Sequence, residues 1–476
     1  MAEYDRVIKD QLQNGIVERV SSSTFDITGE VHYLPHHAVL RQDKTTTKVW
    51  VVYDASAKVG MGPSLNQCLH AGPPMLEHIA DILLRFRVHK VAVTADIEKA
   101  FLMVGVIEDD RYVLRFLWVD DVNSGCPEVI TLRFTRVVFG VCSSPFLLNA
   151  TIHHHLSQFQ QREPAFVEAL LKSLYVDDVA GGGQNDEEGL EFYVNAKTKL
   201  AAGGFNLRKF SSNSQKLMRI VHGRNCSTLK SDRDEGSVSE DLDSFAKSTL
   251  NGKSGTEKVL GVQWDCIGDR LIMDIAHLFA EASVDTITKR QVLAISSKIY
   301  DPLGIISPVT VELKIFHQQL CRQKTEWDEC VSEEDLATWR KLVTRLKAMQ
   351  PVNLPRWYFT GTGDGKYQSI SLHGFSDASC KAYAAVVYMV VATSTGIDVQ
   401  LVTSKSRVAP LVKQSIPRLE LLAALILARL MQSVQSALGG MLLFDSVHCW
   451  TDSQVTLYWI RGEQHEWKQF VQNRVN

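Results

Sequence analysis

Two adjacent acids, Asp177 and Asp178, stand between Ser173-Leu174-Tyr175-Val176 and Val179-Ala180, and Gly181-Gly182-Gly183 follows. The pattern predicts a strand, a tight turn bearing both acids, and a second strand. Adjacent like charges repel, so folding alone gives little reason to place them on a hairpin tip. A divalent cation supplies one, because hard ions such as Mg²⁺ are bound by carboxylate oxygens together with substrate phosphate. A solvated Asp-Asp turn is the common alternative. Upstream, Asp96 closes the apolar run Val91-Ala92-Val93-Thr94-Ala95, which reads as a buried strand. An acid at a strand end lies where open α/β sheets keep their ligands, although a helix N-cap would look the same. The three acids together suit a pair of ions about 3.5–4 Å apart that stabilise the attacking and leaving oxygens of a phosphoryl displacement.

Further motifs follow in a fixed order. They are Val51-Val52-Tyr53-Asp54-Ala55-Ser56-Ala57-Lys58, Ser64-Leu65-Asn66, Gly72-Pro73-Pro74, Phe139-Gly140-Val141-Cys142-Ser143-Ser144-Pro145-Phe146, Gly203-Gly204-Phe205-Asn206-Leu207-Arg208-Lys209 and Val259-Leu260-Gly261-Val262-Gln263-Trp264. In type and order these resemble the reverse transcriptase of Pao/BEL long-terminal-repeat retrotransposons, over nearly the whole chain. The resemblance implies an RNA-directed DNA polymerase with two Mg²⁺ ions, or Mn²⁺ in their place. Its partners would be an RNA template, a DNA primer and product, and deoxynucleoside triphosphates. Asp96 and Asp177 would ligate metal, with Asp178 in support. Phe101 would be the steric gate against a ribose 2′-hydroxyl, and Phe139 would pack near the incoming base pair. Lys209 would be a general acid for pyrophosphate, or else a solvated surface lysine. One position departs from the family. Four residues before Asp54, where the family has an arginine for the triphosphate, stands Trp50. An indole cannot neutralise phosphate, so Lys48 or Lys58 would have to compensate.

A second acid set comes later. Asp377 lies in a strand-like run, and a second and a third run follow. Glu420 sits in an amphipathic helix opened by Pro417, and Asp452 ends a further strand before another helix. The order strand, strand, strand, helix, strand, helix with three acids resembles ribonuclease H. Its last strand, last helix and fourth carboxylate are not found before Asn476, so this module is expected to be incomplete and weak or inactive. The same region resembles one often labelled a Pao peptidase. The chain has no D-[ST]-G turn, H-E-x-x-H motif or nucleophile elbow, and so no peptidase chemistry. The rival to the polymerase reading is a decayed retroelement remnant that only binds nucleic acid.

These motifs need several supporting modules, and 476 residues allow three or four. The expected architecture is α+β and multidomain: a right-hand polymerase followed by an incomplete ribonuclease H-like α/β domain. Fingers would span 1–90, palm 91–285 with a polar mobile insertion at 211–257, thumb and connection 286–365, and the ribonuclease H-like domain 366–476. Ile299-Tyr300-Asp301-Pro302-Leu303-Gly304-Ile305-Ile306-Ser307-Pro308-Val309 reads as a helix stop whose apolar residues pack the thumb. A net charge of −3 gives no global support for nucleic-acid binding. Lys289, Arg290, Lys298, Lys314, Arg322 and Lys324 form a local basic cluster that would track a phosphate backbone, unless it is a solvated helix face. Nine scattered cysteines without a C-x-x-C pair fit a reducing compartment. The N-terminus has no apolar signal region, and no apolar run reaches the roughly 18 residues of a span. A cytoplasmic location is expected, and the family implies a virus-like particle. The oligomeric state is not legible.

Overall fold

The computed structural model describes residues 1–20, 31–40, 49–228, 256–323, 326–362, 367–462 and 467–475. The expected compensating Lys48, and Lys324 of the basic cluster, lie outside these residues.

Near the N-terminus, β1 (Val17–Arg19) pairs with β6 (Val129–Phe134), which pairs with β5 (Arg115–Val119). The strands β2 (His36–Leu40) and β3 (Val49–Tyr53) form an antiparallel pair. Ile8, Val17, Tyr53, Leu65, Phe116, Leu132 and Phe134 share one core. This unit is therefore discontinuous. The boundary expected at residue 90 is crossed because β1 takes its ladder partners from β6.

The second sheet has the order β7-β8-β4-β9, with β4 (Val91–Ile97), β7 (Leu174–Tyr175), β8 (Asp178–Gly183) and β9 (Leu207–Ser212) all antiparallel. The apolar run of β4 is explained by burial on both faces. Val91, Val93, Ala95 and Ile97 enter one core, while Ala92 enters another. Gly182 of β8 has φ +151°, and a Cβ there would strike the Val91 carbonyl oxygen, so only glycine lets the two strands close. The hairpin differs from expectation in one respect. Tyr175 already pairs with Asp178, so the turn is Val176-Asp177 and Asp178 is the first residue of β8. Val176 has φ 56°, a costly conformation for a β-branched residue.

The insertion expected at 211–257 is shorter than read. Ser211 and Ser212 finish β9, and Gln215–Thr228 is a helix. Leu217 and Val221, one turn apart, are buried on its inner face. Thr256 and Glu257 begin the next strand, and 229–255 lie outside the described residues.

The third sheet is an antiparallel meander of β10 (Thr256–Val259), β11 (Val262–Asp265), β12 (Arg270–Met273) and β13 (Val352–Pro355). Helices Lys289–Ser297, Ser307–Arg322 and Glu333–Lys347 lie between β12 and β13. The stretch expected as a thumb thus returns to this sheet through β13. The last sheet has the order β16-β15-β14-β17, with β14 (Ser369–Ala378), β15 (Ala382–Ala392), β16 (Ile397–Val408) and β17 (Ser446–Thr451). The β14–β17 pair is parallel and needs a long crossover; helix Ile416–Leu438 lies in that connection. This helix is long and apolar enough to cross a membrane by length and composition. It nevertheless contains Arg418, Glu420 and Arg429, and it buries Leu419, Ala423, Leu427, Met431 and Val434. That is the apolar stripe of a core helix.

One hydrophobic cluster joins the units, running from Ile82 and Phe86 through Trp264 and Trp339 to Val402 and Leu427. Two fully buried arginines cross the same junction. Arg87 donates to the carbonyls of Pro355, Arg356, Leu401 and Val402 at 2.8–3.3 Å. Arg356 donates to both carboxylate oxygens of Asp269 at 2.6 and 2.7 Å, and to the carbonyls of Phe86, His89 and Lys90.

Candidate functional site

The second sheet brings the three acids together at one end. Asp96 lies directly opposite Asp178 on paired strands, and the Ile97 amide donates to the Asp177 carbonyl at 2.7 Å. Like charges facing across a ladder destabilise a sheet, so a cation must offset them. Lys209 provides one, with Nζ 3.1 Å from Asp96 Oδ2. Its position comes from a bulge. The β4–β9 register shifts between Thr94 and Asp96, and Lys209 sits at φ 53°. A bulge with a left-handed residue re-aims a side chain, and here the lysine is turned onto the acids. Beside it, Arg208 binds Glu98 at 2.5 Å. No local sequence signal marks this bulge, because it depends on the pairing of residues far apart in the chain.

Burial is the first cause that raises the Asp177 carboxyl, and repulsion from Asp96 is the second. The Asp178 carboxyl is pushed up to about 6 by burial, then by Asp177 and Asp96, with Lys209 opposing. Crowded carboxylates that resist ionisation are the donor set that a hard divalent ion stabilises. The donor types suit a hard divalent ion, but among the described residues the group of three whose donor atoms all lie within 4.8 Å of one another is Asp377, Glu420 and Asp452, not these three acids.

Phe101 lies in the short helix Ala100–Met103 after β4 and is only 9% exposed. Phe139 is 62% exposed and meets the Phe101 ring edge-to-face at 5.5 Å. On its other side Phe139 meets Trp50 at 6.5 Å. Lys58 is exposed in the loop after β3. The basic cluster is looser than expected. Lys289 is buried over the Trp327 ring, and Arg290 forks onto Asp328. Lys298, Lys314 and Arg322 remain exposed.

The later acids also converge. Oxygens of Asp377, Glu420 and Asp452 all lie within 4.8 Å of one another. Glu420 is 5% exposed, and its Oε1 accepts from the Ala378 amide at 3.2 Å. Its Oε2 is buried with no hydrogen-bond partner. Burial raises its carboxyl first, then Asp377 and, less, Asp452. An orphaned buried carboxylate oxygen facing two more acids fits a divalent cation.

Residues 288–453 match the family model of the Pao retrotransposon-like RNaseH-like domain. That description agrees with the carboxylate cluster and carries no peptidase element. No curated protein matches the chain. Among solved structures, the chain is similar to the foamy viral protease-reverse transcriptase. In a complex with double-stranded DNA of its dRH form, the TM-score is 0.58 at 16% identity, over 96% of this chain and 64% of that one. In a complex with RNA/DNA hybrid, the TM-score is 0.56 at 14% identity, over 100% of this chain and 51% of that one. A further complex with double-stranded DNA gives 0.56 at 15% identity, over 98% and 77%. At these identities the likeness concerns the fold: a reverse transcriptase architecture with a ribonuclease H-like domain. The chain spans about half to two thirds of the first two of these structures.

Proposed function

We propose that this chain, a Pao-type retrotransposon sequence across residues 288–453, is an RNA-directed DNA polymerase. The supporting observation is the convergence of Asp96, Asp177 and Asp178 at one end of the β7-β8-β4-β9 sheet, with Lys209 as the local cation. In this reading that sheet is the palm. The β1-β6-β5 and β2-β3 units are the fingers, and the helices from Lys289 to Lys347 are the thumb. The likeness to a reverse transcriptase solved on double-stranded DNA and on RNA/DNA hybrid supports a duplex as the bound partner.

Asp96 and Asp177 would hold two Mg²⁺ ions, with Asp178 behind them; when bound, the metal lowers the pKa of a primer 3′-hydroxyl and neutralises triphosphate charge. Phe101, buried five residues after Asp96, would exclude a ribose 2′-hydroxyl. Lys58 is the cation we assign to the triphosphate. Lys209 first holds Asp96, and acts as general acid to pyrophosphate only on leaving that carboxylate. Asp96→Asn is expected to slow extension of a DNA primer on an RNA template at least about a hundredfold, the scale of losing one charge-stabilising group. Duplex binding should be retained. Extension at the wild-type rate contradicts the assignment.

A second reading concerns the Asp377–Glu420–Asp452 cluster, for metal-assisted hydrolysis of the RNA strand of a hybrid. Mn²⁺ is expected to raise the melting temperature of the wild type more than that of a variant carrying both Glu420→Gln and Asp377→Asn, whose remaining rise would come from the Asp96–Asp177–Asp178 site. An equal rise in both contradicts a metal site there.

A further inference from the structure

At the acid end of the β7-β8-β4-β9 sheet, three carboxylates share one nearby cation and do not converge. Asp96 faces Asp178 across the ladder, with Asp177 beside them. Yet among the described residues the three acids whose donor atoms all lie within 4.8 Å of one another are Asp377, Glu420 and Asp452. One oxygen at the polymerase end is already engaged, because Asp96 Oδ2 lies 3.1 Å from Lys209 Nζ. The ammonium also reaches the other two acids. Burial first, then the neighbouring carboxylates, raises Asp177 and Asp178, and Lys209 opposes the rise in both.

The backbone is shaped for this contact. Arg208 is the residue registered opposite Asp96, and it binds Glu98. In a regular strand the next side chain would point to the other face. The register shift and the left-handed Lys209, at φ 53°, bring its ammonium to Asp96 instead. A lysine has none of glycine's freedom in that region, and such strain persists only where the surroundings impose it. The side chain beyond the backbone is not locked. Lys209 is 68% exposed at its side chain and Asp96 30%, and an ion pair this open to water parts easily. Glu257 of β10 lies within electrostatic reach of the same ammonium, so a lysine that leaves Asp96 keeps an acid nearby.

An ammonium and a hard divalent ion compete for the same carboxylate oxygen. We propose that Lys209 is a resident cation of the polymerase site: it occupies Asp96 while no divalent ion is bound, and it must leave that carboxylate before the three acids act as one donor set. Lys209 thereby sets the ion affinity of the site. The coupling is reciprocal, so whatever favours the bridge weakens ion binding, and ion binding frees the ammonium. The freed ammonium is the one assigned above as acid toward pyrophosphate, so that acid becomes available only in a loaded site. The inference rests on the polymerase reading and adds a regulation of its metal site.

The test reads ion binding without turnover. It uses the full chain carrying Glu420→Gln and Asp377→Asn, which remove two ligands of the other carboxylate cluster. In a Mn²⁺ titration followed by the electron paramagnetic resonance of the free ion, adding Lys209→Met should tighten binding about fivefold, the upper worth of an exposed ion pair. Lys209→Arg, which keeps the charge, should bind within about twofold of the parent, which separates loss of the cation from a disturbed bulge. In the wild type, Ca²⁺ should raise the acetylation of the Lys209 amine by acetic anhydride, read by mass spectrometry, because the bridge to Asp96 is given up. Equal or weaker Mn²⁺ binding by Lys209→Met, an equal gain in Lys209→Arg, or acetylation of Lys209 unmoved by Ca²⁺ overturns the proposal. Tighter binding by Lys209→Met with no primer extension by the wild type counts against the polymerase reading alone. Extension by the wild type with Mn²⁺ affinity unmoved by Lys209→Met counts against the resident cation alone.

Discussion

Asp178 shows how far a single residue carries the argument. In the sequence it is one half of an Asp-Asp pair, indistinguishable from a solvated turn. In the fold it is a strand residue facing Asp96, with its carboxyl pushed up to about 6. Unfolded, an aspartate titrates near 4. Between about 4 and about 6 the folded state therefore binds more protons than the unfolded one, and stability falls as pH rises through that window. Without divalent metal, Asp178→Asn should melt at a higher temperature than wild type at pH 7. The advantage should vanish below about pH 4, where the carboxyl is protonated in both states. A variant that melts at or below the wild-type temperature at pH 7 would contradict the electrostatic account of the site. Asp96, Asp177 and Asp178 stood out in the sequence as acids at the ends of apolar runs, and the pairing of Asp96 with Asp178 came from the fold. The aim of Lys209 was not legible there, because a bulge is a property of two paired strands and not of either alone.

At the scale of elements, the later half of the chain was the more legible. The order of strands and helices and the Pro417 helix start follow from periodicity and spacing, and the observed elements keep that order; the choice of the three acids rested on the resemblance to ribonuclease H. The N-terminal half was less so, since β1 pairs with a strand more than a hundred residues later. The Ile299–Val309 motif gains a physical reason that its sequence did not show. Asp301 accepts from the Ile305 and Ile306 amides, and the Leu303 carbonyl accepts from the Ser404 amide and the Thr403 hydroxyl. Gly304, at φ +71°, lies so close to the Ser404 carbonyl that any side chain would collide. The motif is a seam between the helices and β16 as well as a helix stop. The stronger element-scale test is Arg356, whose guanidinium serves Asp269 and three carbonyls from full burial. Arg356→Ala should cost about 3–5 kcal/mol in urea unfolding, the scale of breaking a buried pair. A loss under about 1 kcal/mol, the worth of an exposed pair, would contradict it.

Across the whole molecule, the ribonuclease H-like sheet is joined to the rest by a shared hydrophobic cluster and by Arg87, which binds β13 and β16 carbonyls together. Composition could not reveal this, since the contacts of Arg87 lie some 270 to 315 positions away. Such a junction predicts cooperative behaviour. In native-state hydrogen exchange, amides of β4 and of β15 should lose protection in one common opening. Exchange of β15 at distinctly lower denaturant would show a separate unit. The same cluster runs from the sheet that carries Asp96 and Asp178 to the sheet that carries Asp377. The polymerase site is the central claim, and primer extension tests it most directly. With an RNA template, a DNA primer, deoxynucleotides and Mg²⁺, the wild type should extend the primer. A folded variant carrying both Asp177→Asn and Asp178→Asn should not, while still binding the duplex. Unchanged extension by that variant, or salt-dependent duplex binding by the wild type with no extension at all, would contradict the account.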